Sequence, residues 1–275
     1  MNKNLLQRII TGILGGSLLI TLTYIHPLGL WLICTVLMLL SYYEWLHLLD
    51  SKPLKMMSNI LILSILLISN FLLAAIYIWK NPSIITYCFV GFLLFPLLSL
   101  LSLREKNLQL ATIRFMLQIT GIVYIVLPWF CYFTLAWYHG EYNWKIPLGI
   151  QFLHWMADTA AYFCGKIWGK TKLLEHISPG KTFEGFGGGI VGTLLLAWLL
   201  QNQWYLSNWN WIYIGIMVST LGVGGDLFES LIKRSYTLKD SSNILPGHGG
   251  VLDRFDGFLL TLPIIYVYAQ ASKLL

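Results

Sequence analysis

Nine stretches of mostly apolar residues run through this 275-residue chain, at approximately 7–25, 28–47, 58–79, 84–103, 115–138, 147–168, 187–205, 211–232 and 257–272. Each is close to the roughly 20 residues that a helix needs to cross a bilayer. In hydrocarbon every backbone N–H and C=O must be satisfied within the segment, which makes helices of such runs. Composition closes the alternatives. The chain is 57% hydrophobic and 11% charged, whereas soluble domains carry about 25% charged residues. A soluble fold also leaves about a quarter of its surface exposed even at 300 residues. A cytosolic enzyme, a disordered protein and a disulfide-stapled secreted module are excluded. The expectation is an all-α, polytopic membrane bundle of about nine transmembrane helices.

Lys3 and Arg8 precede the first stretch, as in a signal peptide. No small-residue cleavage site follows, and His26-Pro27 leads straight into the next stretch, so the segment reads as a membrane helix. With a cytoplasmic N-terminus, fifteen Lys and Arg residues fall inside and only Lys80, Lys145 and Lys273 outside. That positive-inside bias puts the protein in the cell (inner, cytoplasmic) membrane with its N-terminus in the cytoplasm. The net charge of +6 then belongs to cytoplasmic loops beside anionic head groups rather than to a nucleic-acid site. Cys34, Cys88, Cys131 and Cys164 sit inside apolar stretches and read as small buried residues. Aromatic clusters at span ends, such as Tyr42-Tyr43-Glu44-Trp45 and Trp204-Tyr205 with Trp209 and Trp211, read as an aromatic belt. His26, His47, His139, His154 and His176 read as interfacial or loop histidines.

The charge is unevenly placed. Residues 151–256 hold eight of the twelve acids and eight of the eighteen bases, many inside or beside apolar spans. Ionisable groups at membrane depth are costly and mark functional sites. Residues 1–150 therefore read as transmembrane scaffold, and 151–275 as a catalytic region with a cytoplasm-facing site.

Three clusters carry that charge. Asp158 and Tyr162 come late in the sixth stretch, as a polar site in a cytoplasm-facing cavity or as an acid paired with a lysine for packing. Ser178-Pro179-Gly180-Lys181-Thr182, with Glu184 and Gly185, reads as a turn whose free N–H groups and ammonium suit a phosphate oxygen, or as a plain loop. The spacing of a P-loop is missing. Gly187, Gly188 and Gly189 read as close-packing positions. The third cluster runs from Gly222 to Asp256. On a helix Asp226, Glu229, Ser230 and Lys233 share one face. Asp253 and Asp256 point together if the last helix begins near Asp253. Between these two groups, Pro246–Gly250 is too rich in Pro and Gly to be helical. Converging carboxylates need cations, and oxygen-only donors suit Mg²⁺ or Mn²⁺. Lys233, Arg234, Lys239 and Arg254 add fixed positive charge, a mixture that fits a polyphosphate. His248 reads as a general base, a phosphate donor or a loop residue bonded to backbone.

The stretch Ser230, Lys233-Arg234, Lys239-Asp240, Ser242, Pro246, His248-Gly249-Gly250, Asp253-Arg254, Asp256 resembles the signature of phosphatidate cytidylyltransferases (CDP-diacylglycerol synthases), without departure at its fixed positions. The resemblance continues upstream through Asp158 and Tyr162, Ser178 to Thr182, and Glu184-Gly185. It implies transfer of CMP from CTP to phosphatidic acid, a divalent metal with room for a monovalent cation such as K⁺, and a homodimer in the bilayer. It places the metal on Asp226, Asp253 and Asp256. Phosphate handling then falls to Ser178, Lys181, Thr182, Ser230, Lys233, Arg234, Lys239, His248 and Arg254, supported by Asp158, Glu184, Glu229 and Asp240. Two other readings compete: a different membrane CTP-user, such as a polyprenol kinase or an ether-lipid cytidylyltransferase, and a transporter. The acids gather near the cytoplasmic end among lysines and arginines, not across the midplane as an ion relay requires.

Overall fold

The structure, a computed structural model, describes residues 3–49, 108–204, 206, 209–247 and 249–272. The apolar stretches at 58–79 and 84–103, and His248, lie outside the described residues. Helix α1 (Lys3–Ile25) and α2 (Pro27–Leu49) form a hairpin turned at His26. Leu28 N donates to His26 Nδ1 across that turn at 3.1 Å. Pro27 stands at the first helical position, where a missing N–H costs nothing. Helix α3 (Leu108–Gly121) widens into a π turn (Ile122–Val126) and continues as α4 (Leu127–Leu135). Pro128 in the first turn of α4 has no N–H and crowds the carbonyl four residues back, which opens the helix there.

The expected span 115–138 ends early, at Leu135, because a hairpin follows: β1 (Trp137–Tyr138) pairs antiparallel with β2 (Glu141–Tyr142). His139 and Gly140 between them have φ of 51° and 79°, the left-handed pair of a type I′ turn. Helix α5 (Lys145–Trp168) leads to a second hairpin, β3 (Lys172–Leu174) and β4 (Ser178–Thr182). Ser178-Pro179-Gly180 is thus strand rather than turn, with Leu174 opposite Ser178 and Lys172 opposite Thr182. The all-α expectation holds for most of the described residues, with these two small sheets added. Three long helices complete the fold: α6 (Phe183–Gln203), α7 (Trp211–Ser235) and α8 (Leu252–Ala271).

Among the described residues four segments are long and apolar enough to cross a membrane: Gln7–Ile25, Pro27–Leu46, Phe183–Gln203 and Trp211–Ser235. Helices α5 and α8 have 24 and 20 residues but carry polar groups, with His154 and Thr261 buried and Asp158 and Asp256 lining a cavity. His154 is no interfacial residue: it is buried in the bundle, 2.8 Å from Thr261 Oγ1. Nor are all the aromatic clusters a belt. Trp45, Trp209 and Trp211 are buried in the core, where the rings of Trp209 and Trp211 meet edge to face. Cys34 and Cys131 are buried as expected, and Cys164 is partly exposed.

The helices alternate in direction, which sorts the molecule into two ends. At one end Trp144 packs on Tyr24 and Trp204, and Trp209 on Tyr268. At the other, Arg8 near the start of α1 donates to Gly247 O at 2.6 Å, and Arg234 at the end of α7 donates to Ile177 O in the second hairpin at 3.4 Å. The charged residues of 151–256 collect at this second end.

Candidate active site

Helices α7 and α8 cross backbone to backbone. A Cβ on Gly225 would sit 2.5 Å from Asp256 O, and one on Gly257 2.6 Å from Gly222 O. This contact sets Asp226 and Asp256 within electrostatic reach of each other and of Glu229. The face expected on α7 forms: Ser230 Oγ donates to Asp226 Oδ1 at 3.2 Å, and Lys233 Nζ to Glu229 Oε2 at 2.8 Å. Lys233 also reaches across to Asp253 Oδ1 at 2.6 Å. Asp253, in the first turn of α8, accepts from Ser241 N at 3.1 and 3.0 Å and from Gly250 N at 2.8 Å. Asp253 lies ahead of the apolar stretch 257–272. Burial pushes its carboxyl upward, but the Lys233 ammonium and the N–H of Gly250 and Ser241 outweigh that and hold it below the usual carboxylate range.

Lys181, on β4, pairs with Asp226 Oδ2. Asp158 on α5 lies within reach of Asp226, Lys181 and Arg254. All of these, with Thr182, Asp253 and Asp256, line one cavity of about 1070 Å³. Its other walls are mostly apolar, among them Leu18 and Leu19 on α1, Ile33, Val36 and Leu37 on α2, and Trp155 on α5. A polar cluster that continues into an apolar wall, where Leu18, Val36 and Trp155 are exposed, suits a charged head group with hydrocarbon tails.

Several expected site residues also hold backbone. Thr182 caps α6, its hydroxyl accepting from Gly185 N at 3.1 Å. Glu184 accepts from Thr171 N at 3.1 and 3.2 Å, fastening the second hairpin to α6. Arg234 donates to Ile177 O and, at 3.0 Å, to Leu238 O. Lys239 and Asp240 are exposed on the loop after α7, and Ser178 starts β4, away from the cavity lining. Gly188 and Gly189 pack closely on α5, whereas a Cβ on Gly187 would meet nothing within 4 Å.

A residue that sequence reasoning passed over joins this site. Glu44, on α2, is 0% exposed and accepts four hydrogen bonds. Its Oε1 takes Ser242 Oγ at 2.6 Å and Val251 N at 2.8 Å; its Oε2 takes Ser241 Oγ at 3.0 Å and Leu252 N at 2.7 Å. The signal was an acid inside an aromatic, apolar segment, costly unless partnered.

The donor set for a cation is oxygen only. Glu229 Oε1 is buried without a hydrogen-bond partner, next to the Asp256 carboxyl. Acids that face one another like this need positive charge or a proton between them, so the residues fit a hard dication. Among the described residues no three acid, His or Cys side chains form a complete cage. An ion here would fill its shell with water or substrate oxygens, as Mg²⁺ does.

Helices apolar enough to cross a membrane and one cavity lined by acids and a lysine are the marks of a membrane enzyme. The chain belongs to the cytidylyltransferase family, which matches it over residues 6–272. It is 35% identical over 262 residues to the phosphatidate cytidylyltransferase of Bacillus subtilis (strain 168), covering 94% of this chain and 96% of that protein. Proteins of the same name from Staphylococcus epidermidis (strain ATCC 12228) and Staphylococcus aureus (strain COL) are 45% and 46% identical over 115 residues, which is 41% of this chain and 44% of each of them.

Proposed function

We propose that this chain transfers CMP from CTP to phosphatidic acid, giving CDP-diacylglycerol and pyrophosphate. The single observation that carries the reading is the cavity itself: Lys181, Asp226, Asp253, Arg254 and Asp256 at one end, and leucines, isoleucine and Trp155 at the other. The phosphatidate phosphate is an anion at neutral pH and serves as its own nucleophile, so no serine or cysteine need be activated. One of its oxygens forms a bond to the CTP α-phosphorus while the bond from that phosphorus to the bridging oxygen breaks in line, and pyrophosphate leaves with the electron pair. The barrier is electrostatic, an anion approaching a polyanion. Asp226, Asp253 and Asp256 would hold Mg²⁺ or Mn²⁺, whose charge screens that approach and the departing pyrophosphate, with K⁺ as a candidate monovalent ion nearby. Lys181 exchanges its Asp226 partner for a substrate phosphate. Arg254, exposed and lining the cavity, would supply a further donor, while Lys233 and Ser230 would position Asp253 and Asp226.

The remaining expectations belong to this reading. Nine spans, a cytoplasmic N-terminus and a cytoplasm-facing site suit it, because CTP is a cytosolic polyanion and phosphatidate lies in the leaflet. Residues 1–150 then serve as scaffold and 151–275 as the catalytic region, within a homodimer. The test is pyrophosphate release by purified protein in detergent with CTP, Mg²⁺ and phosphatidate. Wild-type protein should turn over only with all three, and Asp253→Asn should lose at least 100-fold in kcat while remaining folded. Label passing from CTP to another lipid acceptor and not to phosphatidate would overturn the substrate assignment.

A further inference from the structure

We infer that Glu44 is a positioning residue of the reaction, through which the first helical hairpin holds the catalytic loop. The inference rests on the reading of Asp253 and Arg254 as site residues. The loop between α7 and α8 leaves the helix after Ser235 and returns at Leu252. Glu44 binds it at both sides: Ser241 and Ser242 on the outgoing strand, Val251 N and Leu252 N where the chain re-enters the helix. The two N–H groups are the unfilled donors that every helix start carries, so one carboxylate both closes the loop and caps α8. Asp253 is the next residue, and it takes Ser241 N and Gly250 N itself. The two acids therefore share the same loop backbone, and the direction of Asp253 depends on where Glu44 holds Ser241.

The loop has no slack at this point. A Cβ on Gly250 would stand 1.8 Å from Ser241 Oγ and 2.6 Å from Glu44 Oε2. Helix α1 adds a second grip from outside, with Arg8 Nε on Gly247 O and Thr11 Oγ1 on Pro246 O at 3.2 Å. The bonds of Glu44 join residues 197 to 208 positions apart. The N-terminal hairpin is thus part of the site's architecture.

Glu44→Gln keeps the volume but turns an amide donor toward N–H and O–H donors; Glu44→Asp keeps the carboxylate and shortens it. If the residue positions the loop, the isosteric glutamine is the worse of the two. Glu44→Gln should lower kcat 10- to 100-fold with the KM for phosphatidate within about twofold, and trypsin should cut after Lys239 faster than in wild type. Glu44→Asp should keep more kcat than Glu44→Gln. Should Glu44→Gln not fold, Ser241→Ala/Ser242→Ala replaces it and should lower kcat about 10-fold with the same faster cleavage. Wild-type kcat and cleavage in whichever of these folds, or a glutamine variant at least as active as the aspartate one, overturns the inference. An active Asp253→Asn enzyme would instead sink the site reading beneath it.

Discussion

Lys181 and Lys233 each sit on an aspartate, yet their settings assign them different work. The Lys181 side chain is 24% exposed and lines the cavity beside Asp226, itself 37% exposed. A wet ion pair of this kind contributes little stability, and its ammonium is free to move to a substrate oxygen. Lys233 is 9% exposed and wedged between Glu229 and Asp253, exposed by 0% and 5%. Removing a buried partner leaves uncompensated charge and costs about 3–5 kcal/mol. Lys181→Ala should therefore fold normally and lose roughly 10- to 100-fold in kcat/KM for CTP, the worth of about 1.5–3 kcal/mol from one charge-assisted hydrogen bond. Lys233→Met should first of all lower the unfolding temperature in detergent. Steady-state kinetics beside a thermal melt separates the two, and an unchanged kcat/KM for both substrates in Lys181→Ala would remove that residue from the site.

At the scale of elements the site is made by the crossing of α7 and α8. The atoms facing Gly257 are backbone, the carbonyl and Cα of Gly222, and they cannot swing aside as a side chain would. Gly257→Ala must push the helices apart and carry Asp256 away from Asp226. Overpacking of this kind costs about 1–3 kcal/mol, and a 1 Å misplacement costs about 100-fold in rate. Gly257→Ala should thus lose about two orders of magnitude in kcat, while Gly187→Ala, with nothing within 4 Å, should match wild type; equal activity in both would mean that the crossing does not set the site. Much of this was legible in the chain. Offsets of three, four and seven put Asp226, Glu229, Ser230 and Lys233 on one face of α7, and Pro246 to Gly250 announced a non-helical return. Glu44 was not legible as a partner, because its four donors lie about 200 residues away and two of them are backbone N–H groups with no residue signature. The strands were too short for alternation to show, and the backbone bonds that Thr182, Glu184 and Arg234 make have no signature in the sequence.

At the scale of the whole molecule, the two ends differ in chemistry, and the bilayer must choose between them. The β1–β2 hairpin lies at the aromatic end: Tyr142 donates to Thr23 O near the C-terminus of α1, and neighbouring Trp144 packs on Tyr24. The β3–β4 hairpin lies at the charged end, tied to Arg234. Cationic residues are retained on the cytoplasmic side, and the charged end holds Arg8, Lys172, Lys181, Lys233, Arg234 and Arg254. On the proposed function that asymmetry would put the charged end in the cytoplasm, the side on which a triphosphate is made. In a background with the four native cysteines replaced by alanine, Glu141→Cys in the first hairpin should react with a membrane-impermeant maleimide on intact cells. Glu175→Cys, exposed in the turn of the second hairpin, should react only after the membrane is permeabilised. The opposite pattern would place the acids and lysines outside the cell, away from CTP, and the proposed reaction could not then occur at this cavity.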